Sequence, residues 1–221
     1  MGRLENKVAL VTGASQGIGK AIVLKLAKEG ALCAINYRSE VDRLKAENVK
    51  KEVEKNGGKA CIVEADITVI DNIDKMFRKV EETLGSVEIL VNNAGVAPFY
   101  PFLKVTEEIW DKTYATNVKG AFFTAQRAAP KMIERKYGKI INIASTASVV
   151  VTSPVIPHYI SSKGAIHQLT KALAIELGKY NINVNAVGPS TVNTPFVEEY
   201  LKDERIMKLE IEGNPMKRLG T

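Results

Sequence analysis

Tyr159 and Lys163 are spaced to move a proton together. They lie four residues apart in a segment whose pattern predicts a helix, so both side chains would lie on one face, about one turn apart. A phenol titrates near pH ~10, and a nearby ammonium would lower that pKa toward neutrality. Ser145, at the end of the preceding predicted strand, could hydrogen-bond the same substrate oxygen. Since the chain has seven tyrosines, such a pair can also arise by chance. Whether it is catalytic depends on the elements around it.

A glycine-rich stretch near the amino terminus is suited to binding phosphate. Residues 8–11 form a short apolar run that predicts a buried strand, and residues 20–29 predict a helix. Gly13, Gly17 and Gly19 lie in the turn between them, where backbone N–H groups and the positive end of a helix dipole converge. Their G-x-x-x-G-x-G spacing differs from the common dinucleotide fingerprint, and glycines at such a turn can also serve the turn alone.

Strands and helices alternate along the chain and would position these groups. This alternation predicts an α/β fold with a doubly wound, Rossmann-like parallel sheet and helices on both faces. In the helix at about 40–56 we expect Val41, Leu44, Val49 and Val53 to share one apolar face. The predicted strands lie at 8–11, 32–37, 60–64, 87–91, 139–143 and 183–187, and the predicted helices at 20–29, 40–56, 72–84, 106–135 (in two parts) and 159–178.

Residues with special chemistry follow each predicted strand. Because ligands of such sheets bind beyond the carboxyl ends of the strands, these residues would meet along one edge. They are the glycine stretch, Tyr37-Arg38, Asp66, the run from Asn92 to Gly95, Ser145, and Gly188-Pro189.

The composition limits the classes of partner. Although the net charge is +6, the basic residues alternate with carboxylates, as in residues 45–55, which predicts a solvated helix face and no nucleic-acid partner. No apolar run is long enough to span a membrane. Cys33 and Cys61 lie in predicted buried strands without metal-ligand spacing, so we expect free thiols, no metal site and a cytoplasmic location. We expect residues 1–221 to form a single domain.

Several motifs together resemble the classical short-chain dehydrogenases/reductases over essentially the full length. The resemblance implies an NAD(P)-dependent oxidoreductase that acts on a small or medium alcohol or carbonyl substrate. A catalytically silent, nucleotide-binding regulatory member of the same fold is the alternative. The matching elements are Thr12-Gly13-x-x-x-Gly17-Ile18-Gly19, Asn92-Asn93-Ala94-Gly95, Asn117, Ser145 and Tyr159-Ile160-Ser161-Ser162-Lys163.

The resemblance also implies roles for individual residues. Tyr159 would be the proton donor or acceptor, Lys163 would bind the nicotinamide ribose and tune Tyr159, and Ser145 would position the substrate oxygen. Asn117 would hold a water in a proton relay, or else bridge backbone groups within its helix. His158 is expected only to line the pocket. The expected cofactor-binding residues are Gly13, Ser15, Gln16, Gly17, Ile18, Gly19, Arg38, Asp66, Ile67, Asn93, Ala94, Gly95, Tyr159, Lys163, Pro189, Val192 and Thr194.

The residues after the second predicted strand favour NADP(H), with NAD(H) possible. NAD-binding folds place a carboxylate there, near position 37, but this chain has Tyr37 followed by Arg38, whose guanidinium could bind a 2′-phosphate. The alternative is that Arg38 pairs with Glu40 or Asp42 on the surface. Gln16 stands where many NADP users carry a second basic residue, so the predicted preference is moderate.

The carboxyl-terminal part of the sequence gives indications of the substrate class and of the oligomeric state. The resemblance is nearest to the branch of 3-oxoacyl-carrier-protein reductases and glucose 1-dehydrogenases, but acyl-carrier-protein users tend to have Arg where this chain has Ile175. Residues 190–216 are the expected substrate lid, although they could also be a solvated helix pair without a role in selectivity. The family normally continues with another helix and a seventh strand, so we expect the final strand to be missing and the chain to form a homo-oligomer, a tetramer or dimer.

Overall fold

Strands and helices alternate along the chain as expected in the computed structural model, which describes residues 2–151 and 156–221. The strands are β1 (Val8–Val11), β2 (Leu32–Tyr37), β3 (Lys59–Glu64), β4 (Ile89–Asn92), β5 (Gly138–Ile143) and β6 (Ile182–Val187). The α-helices are α1 (Gly17–Lys28), α2 (Arg43–Lys55), α3 (Ile70–Thr83), α4 (Glu107–Tyr114), α5 (Ala121–Glu134), α6 (Pro157–Gly178) and α7 (Glu204–Gly213).

The strands form one parallel sheet in the order β3-β2-β1-β4-β5-β6. This order places β1 and β4 in the centre, with the chain winding outward in both directions, and it confirms the predicted doubly wound Rossmann-like fold. All four residues of β1 are buried because helices cover both faces of the sheet. The described residues contain the six predicted strands, and after β6 they add only an isolated bridge between Val192 and Gly220.

Two apolar layers hold the helices against the sheet. One layer packs α3 and α5 on one face, with Phe77 and Met132 fully buried against Leu10 of β1. The other packs α1 and α2 on the opposite face, with Val23 and Val49 buried. Each such side chain contributes about 1.5–3 kcal/mol through its removal from water. The two layers fix the sheet edge at which the functional residues meet.

The predicted apolar face of the second helix is half wrong. Val49 and Val53 are buried, but Val41 is 86% exposed and Leu44 is 66% exposed. The helix begins only at Arg43, so Val41 belongs to the short 3-10 turn that precedes it. Leu44 lies five residues before Val49, which at ~100° per residue puts it on another side of the helix.

The structure also bears on the predictions about the cysteines, metal binding and the membrane. Cys33 and Cys61 are both free, and Cys61 is half-buried rather than buried, because the β3 edge of the sheet is less covered. No group of three or more His, Cys, Asp or Glu side chains in the described part of the chain is placed to hold a metal ion. None of the helices within the described residues combines the length and the apolar character needed to cross a membrane.

Candidate active site

A cavity of about 980 Å³ lies at the carboxyl edge of the sheet. The glycine turn, the ends of β2 to β6, the start of α6 and part of the segment 190–216 surround it. All seventeen residues predicted to bind the cofactor line this cavity, and so does Ser145. Asn117 is the one predicted site residue that does not line it.

The glycine turn leaves backbone donors available to an anion. Gly13 and Gly17 have positive φ angles of 60° and 55°, a conformation that glycine adopts without strain. A Cβ on Gly13 would also lie 2.9 Å from the Cα of Ala94. Gln16, which precedes α1, makes no side-chain cap, so the amide groups of the first helical turn are not satisfied in that way. This donor set fits a pyrophosphate at the positive end of the α1 dipole.

Asn36 holds the glycine turn in place, a role the sequence did not predict. Its Oδ1 accepts a hydrogen bond from the N–H of Gly13 at 3.1 Å. Its Nδ2 donates to the carbonyl oxygens of Tyr37, Val63 and Ala65 at 3.1–3.3 Å. Its exposure is 2%, and the three bonds of its Nδ2 are buried, whereas the bond to Gly13 is partly buried. A polar residue inside an otherwise apolar strand was the available signal.

Asn36→Ala is expected to destabilise the protein and to weaken cofactor binding. The change leaves buried backbone groups without partners, at about 1–3 kcal/mol for each group that water cannot reach. Urea unfolding and cofactor titration measure both effects. Asn56→Ala is the matched control, because its amide also donates to a backbone carbonyl but does so at the surface. Equal effects of the two substitutions would contradict the role of Asn36.

Asn93 and Asn92 act mainly inside the protein. The Nδ2 of Asn93 donates to the carbonyl oxygens of Thr12 and Gly13 at 2.9 and 3.0 Å, so the residue clamps the glycine turn while lining the cavity. Asn92, expected at the edge of the cleft, lies beneath it at 5% exposure. Its carboxamide binds Thr124 and Asn142 in a buried network, which removes it from the cavity wall.

Ser145, Tyr159 and Lys163 meet in the cavity as expected. Ser145 follows β5, and Tyr159 and Lys163 occupy successive turns at the start of α6. Ser145 and Tyr159 both line the cavity, and the Ser145 hydroxyl oxygen accepts a hydrogen bond from the N–H of Ala147 at 3.1 Å. Lys163 is 5% exposed, and its Nζ donates to the carbonyl oxygen of Ile143 at 2.7 Å. The arrangement places a phenol and a hydroxyl where both can reach one substrate oxygen.

The predicted lowering of the Tyr159 pKa is not observed. Burial raises the pKa of the Tyr159 phenol, and the hydrogen bond from Ser145 only partly offsets this effect. Lys163 does not reverse the shift, because its Nζ is directed to Ile143 and lies 5.6 Å from the centre of the Tyr159 ring. Tyr159 is therefore a neutral phenol near pH ~7, the form that can donate a proton.

Burial lowers the pKa of Lys163 from 10.5 to about 8. Between these two values the unfolded chain binds more protons than the folded chain, so this residue makes stability rise with pH in that window. Below this window Lys163 is charged in the folded chain, and the desolvation of its ammonium lowers the free energy of unfolding by the full amount.

Lys163→Met is expected to raise stability relative to the parent protein at pH ~7 and to lose most of that gain by pH ~10, a change on the order of 3 kcal/mol. Urea unfolding of cofactor-free protein at the two pH values measures this difference. Lys171→Met, on the exposed side of the same helix, is the control and should show no such trend. A pH-independent difference for Lys163→Met would contradict the buried ammonium.

Asn117 bridges backbone groups instead of lining the cavity. It lies in a π-helical segment, Ala115–Gly120, between α4 and α5. Its Oδ1 accepts the N–H of Val96 at 2.8 Å, and its Nδ2 donates to the Val96 carbonyl and to Ser162 Oγ at 2.9 and 3.0 Å. Ser162 in turn donates to the carbonyl of Tyr159 at 2.7 Å. These bonds reach the segment after β4 and α6, so Asn117 does not bridge backbone groups within its own helix, as the alternative had it. A water relay at Asn117 stays a prediction.

Arg38 and His158 have other partners than expected. The Arg38 Nε lies 3.6 Å from Asp66 Oδ2, whereas Glu40 and Asp42 pair with residues of α2, so the surface alternative for Arg38 is wrong. Its side chain is 64% exposed and lines the cavity. His158 is fully buried, with its Nε2 2.8 Å from the Pro98 carbonyl oxygen. Contrary to the prediction, it does not line the pocket.

Tyr37 is not available for a ribose contact. The residue is 5% exposed and packs among apolar side chains between the sheet and α2. Its neighbours Asn36 and Arg38 line the cavity, since successive residues of a strand point to opposite sides. Arg38, which was predicted to bind the cofactor, is therefore on the cavity side, whereas Tyr37 is not.

Known proteins share this sequence and fold. The family model for short chain dehydrogenases matches residues 7–205. An L-rhamnose 1-dehydrogenase (NAD(P)(+)) from Azotobacter vinelandii is 38% identical over 98% of this chain and 85% of its own length. A 3-oxoacyl-[acyl-carrier-protein] reductase from Staphylococcus epidermidis is 37% identical over 97% of this chain and 86% of its own length.

Solved structures agree with these matches. A gluconate 5-dehydrogenase from Burkholderia cenocepacia, in complex with NADP and tartrate, is 31% identical with a TM-score of 0.91, covering 99% of this chain and 84% of that one. A short-chain type dehydrogenase/reductase from Mycobacterium marinum is 35% identical with a TM-score of 0.91, covering 98% and 84%. With the glycine turn and the Ser145, Tyr159 and Lys163 cluster in one cavity, the chain belongs to the NAD(P)-dependent short-chain dehydrogenase/reductase family.

Proposed function

We propose that this enzyme transfers a hydride between NADP(H), its preferred cofactor, and the carbonyl or alcohol carbon of a small or medium substrate. The observation that carries the proposal is the meeting of Ser145, Tyr159 and Lys163 in the one cavity that the glycine turn also lines. The silent, regulatory alternative has no observation in its favour, because the relatives named above are dehydrogenases and reductases.

A bound nicotinamide supplies or accepts the hydride at the substrate carbon. In the direction of reduction, the Tyr159 O–H donates its proton to the carbonyl oxygen as negative charge develops there. Ser145 orients that oxygen by donating its hydroxyl hydrogen to it, while its own oxygen accepts the N–H of Ala147. The positive charge of Lys163 stabilises the phenolate that Tyr159 becomes after it gives up its proton. Lys163 also binds the ribose. In oxidation the same residues act in reverse.

Asn117 is proposed as a positioning residue. It ties Val96, after β4, to Ser162, which binds the carbonyl of Tyr159, and so fixes the start of α6 against the cofactor cleft. Because its carboxamide lies outside the cavity wall, we assign the direct contact with substrate to Ser145 and Tyr159.

The cofactor preference rests on Arg38. The end of β2 offers a guanidinium to the cavity and no carboxylate that would repel a 2′-phosphate. Asp66 holds this guanidinium in place at 3.6 Å but also partly neutralises it, so we propose a moderate preference for NADP(H), with NAD(H) still accepted. The structural relative from Burkholderia cenocepacia that contains NADP supports this assignment.

The substrate is proposed to be a small or medium molecule held under residues 190–216, which act as a lid within a single domain. Nine of these residues line the cavity, among them Phe196 and Tyr200. Ile175, where acyl-carrier-protein users tend to have Arg, is 84% exposed and offers no charge to an acidic carrier protein. We further propose a cytoplasmic homo-oligomer, a tetramer or dimer, without nucleic-acid or membrane partners.

The proposal is tested by turnover. The purified protein is assayed with NADPH and with NADH against a panel of aldehydes, ketones and sugars, and the change in reduced-nicotinamide fluorescence is followed. We expect substrate-dependent turnover and a kcat/KM for NADPH about tenfold above that for NADH. A higher kcat/KM with NADH would refute the role of Arg38, and a protein that binds the cofactor without turning over any compound would refute the enzymatic proposal.

A further inference from the structure

Glu210 carries a carboxylate into the active-site cavity from the lid. It lies on α7 and lines the cavity, and it is the only charged residue of the segment 190–216 that does so. The other lining residues of this segment are uncharged: Ser190, Thr191, Val192, Thr194, Pro195, Phe196, Val197 and Tyr200. Its charge therefore bears directly on which substrates the lid can cover.

Two hydroxyl groups hold the Glu210 carboxylate in a fixed position. Thr191, in the loop after β6, donates its hydroxyl hydrogen to Oε2. Tyr200 donates its phenolic hydrogen to Oε1 at 3.2 Å. A carboxylate can accept about four hydrogen bonds, so two such contacts orient it and leave lone pairs for a third donor. It is thus a pre-positioned acceptor of hydrogen bonds.

An aromatic wall stands beside this acceptor. The Tyr200 ring is stacked on Phe99, with centroids 4.1 Å apart and an angle of 7° between the rings. The Phe196 ring lies 6.4 Å from the ring of Tyr159, and all four rings line the cavity. An aromatic wall with a hydrogen-bond acceptor beside it suits a compact molecule that has both C–H faces and hydroxyl groups.

We infer that Glu210 is a specificity-determining residue that favours neutral, hydroxyl-bearing substrates and rejects substrates with a carboxylate or phosphate. The inference rests on the proposed function and adds to it the class of substrate. A hydroxyl group of the substrate donates to the free lone pairs of the carboxylate, whereas an anionic group at the same place is repelled in a partly dry site. The net charge of +6 for the whole protein gives no guide here, because the charge of the lid within the cavity is negative.

The test compares matched neutral and anionic substrates. The pairs are 4-(hydroxymethyl)benzaldehyde with 4-carboxybenzaldehyde, for reduction, and D-glucose with D-glucuronate, for oxidation. The measured quantity is the ratio of kcat/KM for the neutral compound to kcat/KM for the anion, for whichever pair is turned over faster. For the parent protein we expect a ratio above about ten.

Glu210→Gln is expected to lower this ratio at least about fivefold, mainly through a lower KM for the anion, and Glu210→Lys is expected to invert it. Glu212→Gln is the matched control, because it removes the same charge from the same helix at a position 58% exposed and outside the cavity. A ratio in Glu210→Gln within about twofold of the parent, or an equal shift in Glu212→Gln, would overturn the inference. Thermal unfolding of each variant verifies that its fold is intact.

Different results would overturn the proposed function and the inference about the substrate class. If the parent protein reduces or oxidises no compound of the panel, the proposed function falls and the inference falls with it. If turnover is present and lost in Tyr159→Phe but the ratio ignores Glu210, the proposed function stands and only the assignment of the substrate class is overturned.

Discussion

Tyr159→Phe is expected to lower kcat about 10²- to 10⁴-fold while the Kd for NADPH stays within about twofold of the parent value. The substitution removes only the phenolic oxygen that donates the proton, and it keeps the ring that packs near Phe196. Steady-state kinetics and titration of NADPH fluorescence separate the two effects. Burial keeps the phenol protonated, so the loss should be largest in the direction of reduction near neutral pH.

Two further variants check this prediction. Tyr137→Phe, at the opposite edge of the sheet next to Lys7 and Lys139, should retain full activity. Lys163→Ala should damage both kcat and cofactor binding, since the lysine is proposed to bind the ribose as well as to stabilise the phenolate. Comparable turnover by Tyr159→Phe and the parent protein would remove Tyr159 from the mechanism.

Arg38→Asp is expected to reverse the cofactor preference. The kcat/KM with NADPH should fall about 10- to 100-fold, which is the value of a charge-assisted hydrogen bond to the 2′-phosphate, and that with NADH should rise. The carboxylate would accept hydrogen bonds from the ribose hydroxyls and repel the phosphate. The measurement is the ratio of the two kcat/KM values.

Only Arg38, and not Tyr37, is substituted to reverse the cofactor preference, because the two side chains lie in different surroundings. An acid at Tyr37 would lie in the apolar layer above α2 and would destabilise the fold without reaching the ribose. Arg38→Gln separates the loss of the cation from the gain of an anion and should weaken NADPH without improving NADH. Arg43→Gln, on α2 and outside the cavity, is the control. An unchanged ratio in Arg38→Asp would show that the 2′-phosphate is recognised elsewhere.

The fold and the meeting of the site residues were predictable because they depend on local patterns. Short, mainly apolar runs such as 8–11 and 32–37 predict strands buried on both faces, and parallel strands bring the residues that follow them to one edge. Gly13 and Gly17 follow β1, and Ser145 follows β5, so all three lie at the same edge of the sheet. The spacing of four residues between Tyr159 and Lys163 places both side chains on one face of a helix, whatever surrounds that helix.

What could not be predicted depends on contacts between distant segments. Asn36 binds the turn at Gly13 and the end of β3, and no spacing in the sequence indicates such a bond. The rise of the Tyr159 pKa depends on how deeply its ring is buried and on where the Lys163 ammonium points. Likewise, Glu210 enters the cavity only because α7 folds back over the loop that contains Thr191.

The most direct test of the central claim is to follow the hydride itself. The enzyme is incubated with NADPH carrying deuterium at both C4 positions and with the carbonyl compound that the panel shows to be turned over fastest, and the alcohol product is analysed by mass spectrometry. With the parent protein we expect one deuterium on the carbinol carbon of the product, and with Tyr159→Phe almost no product in the same time. A product formed without deuterium, or formed equally fast by Tyr159→Phe, would contradict it.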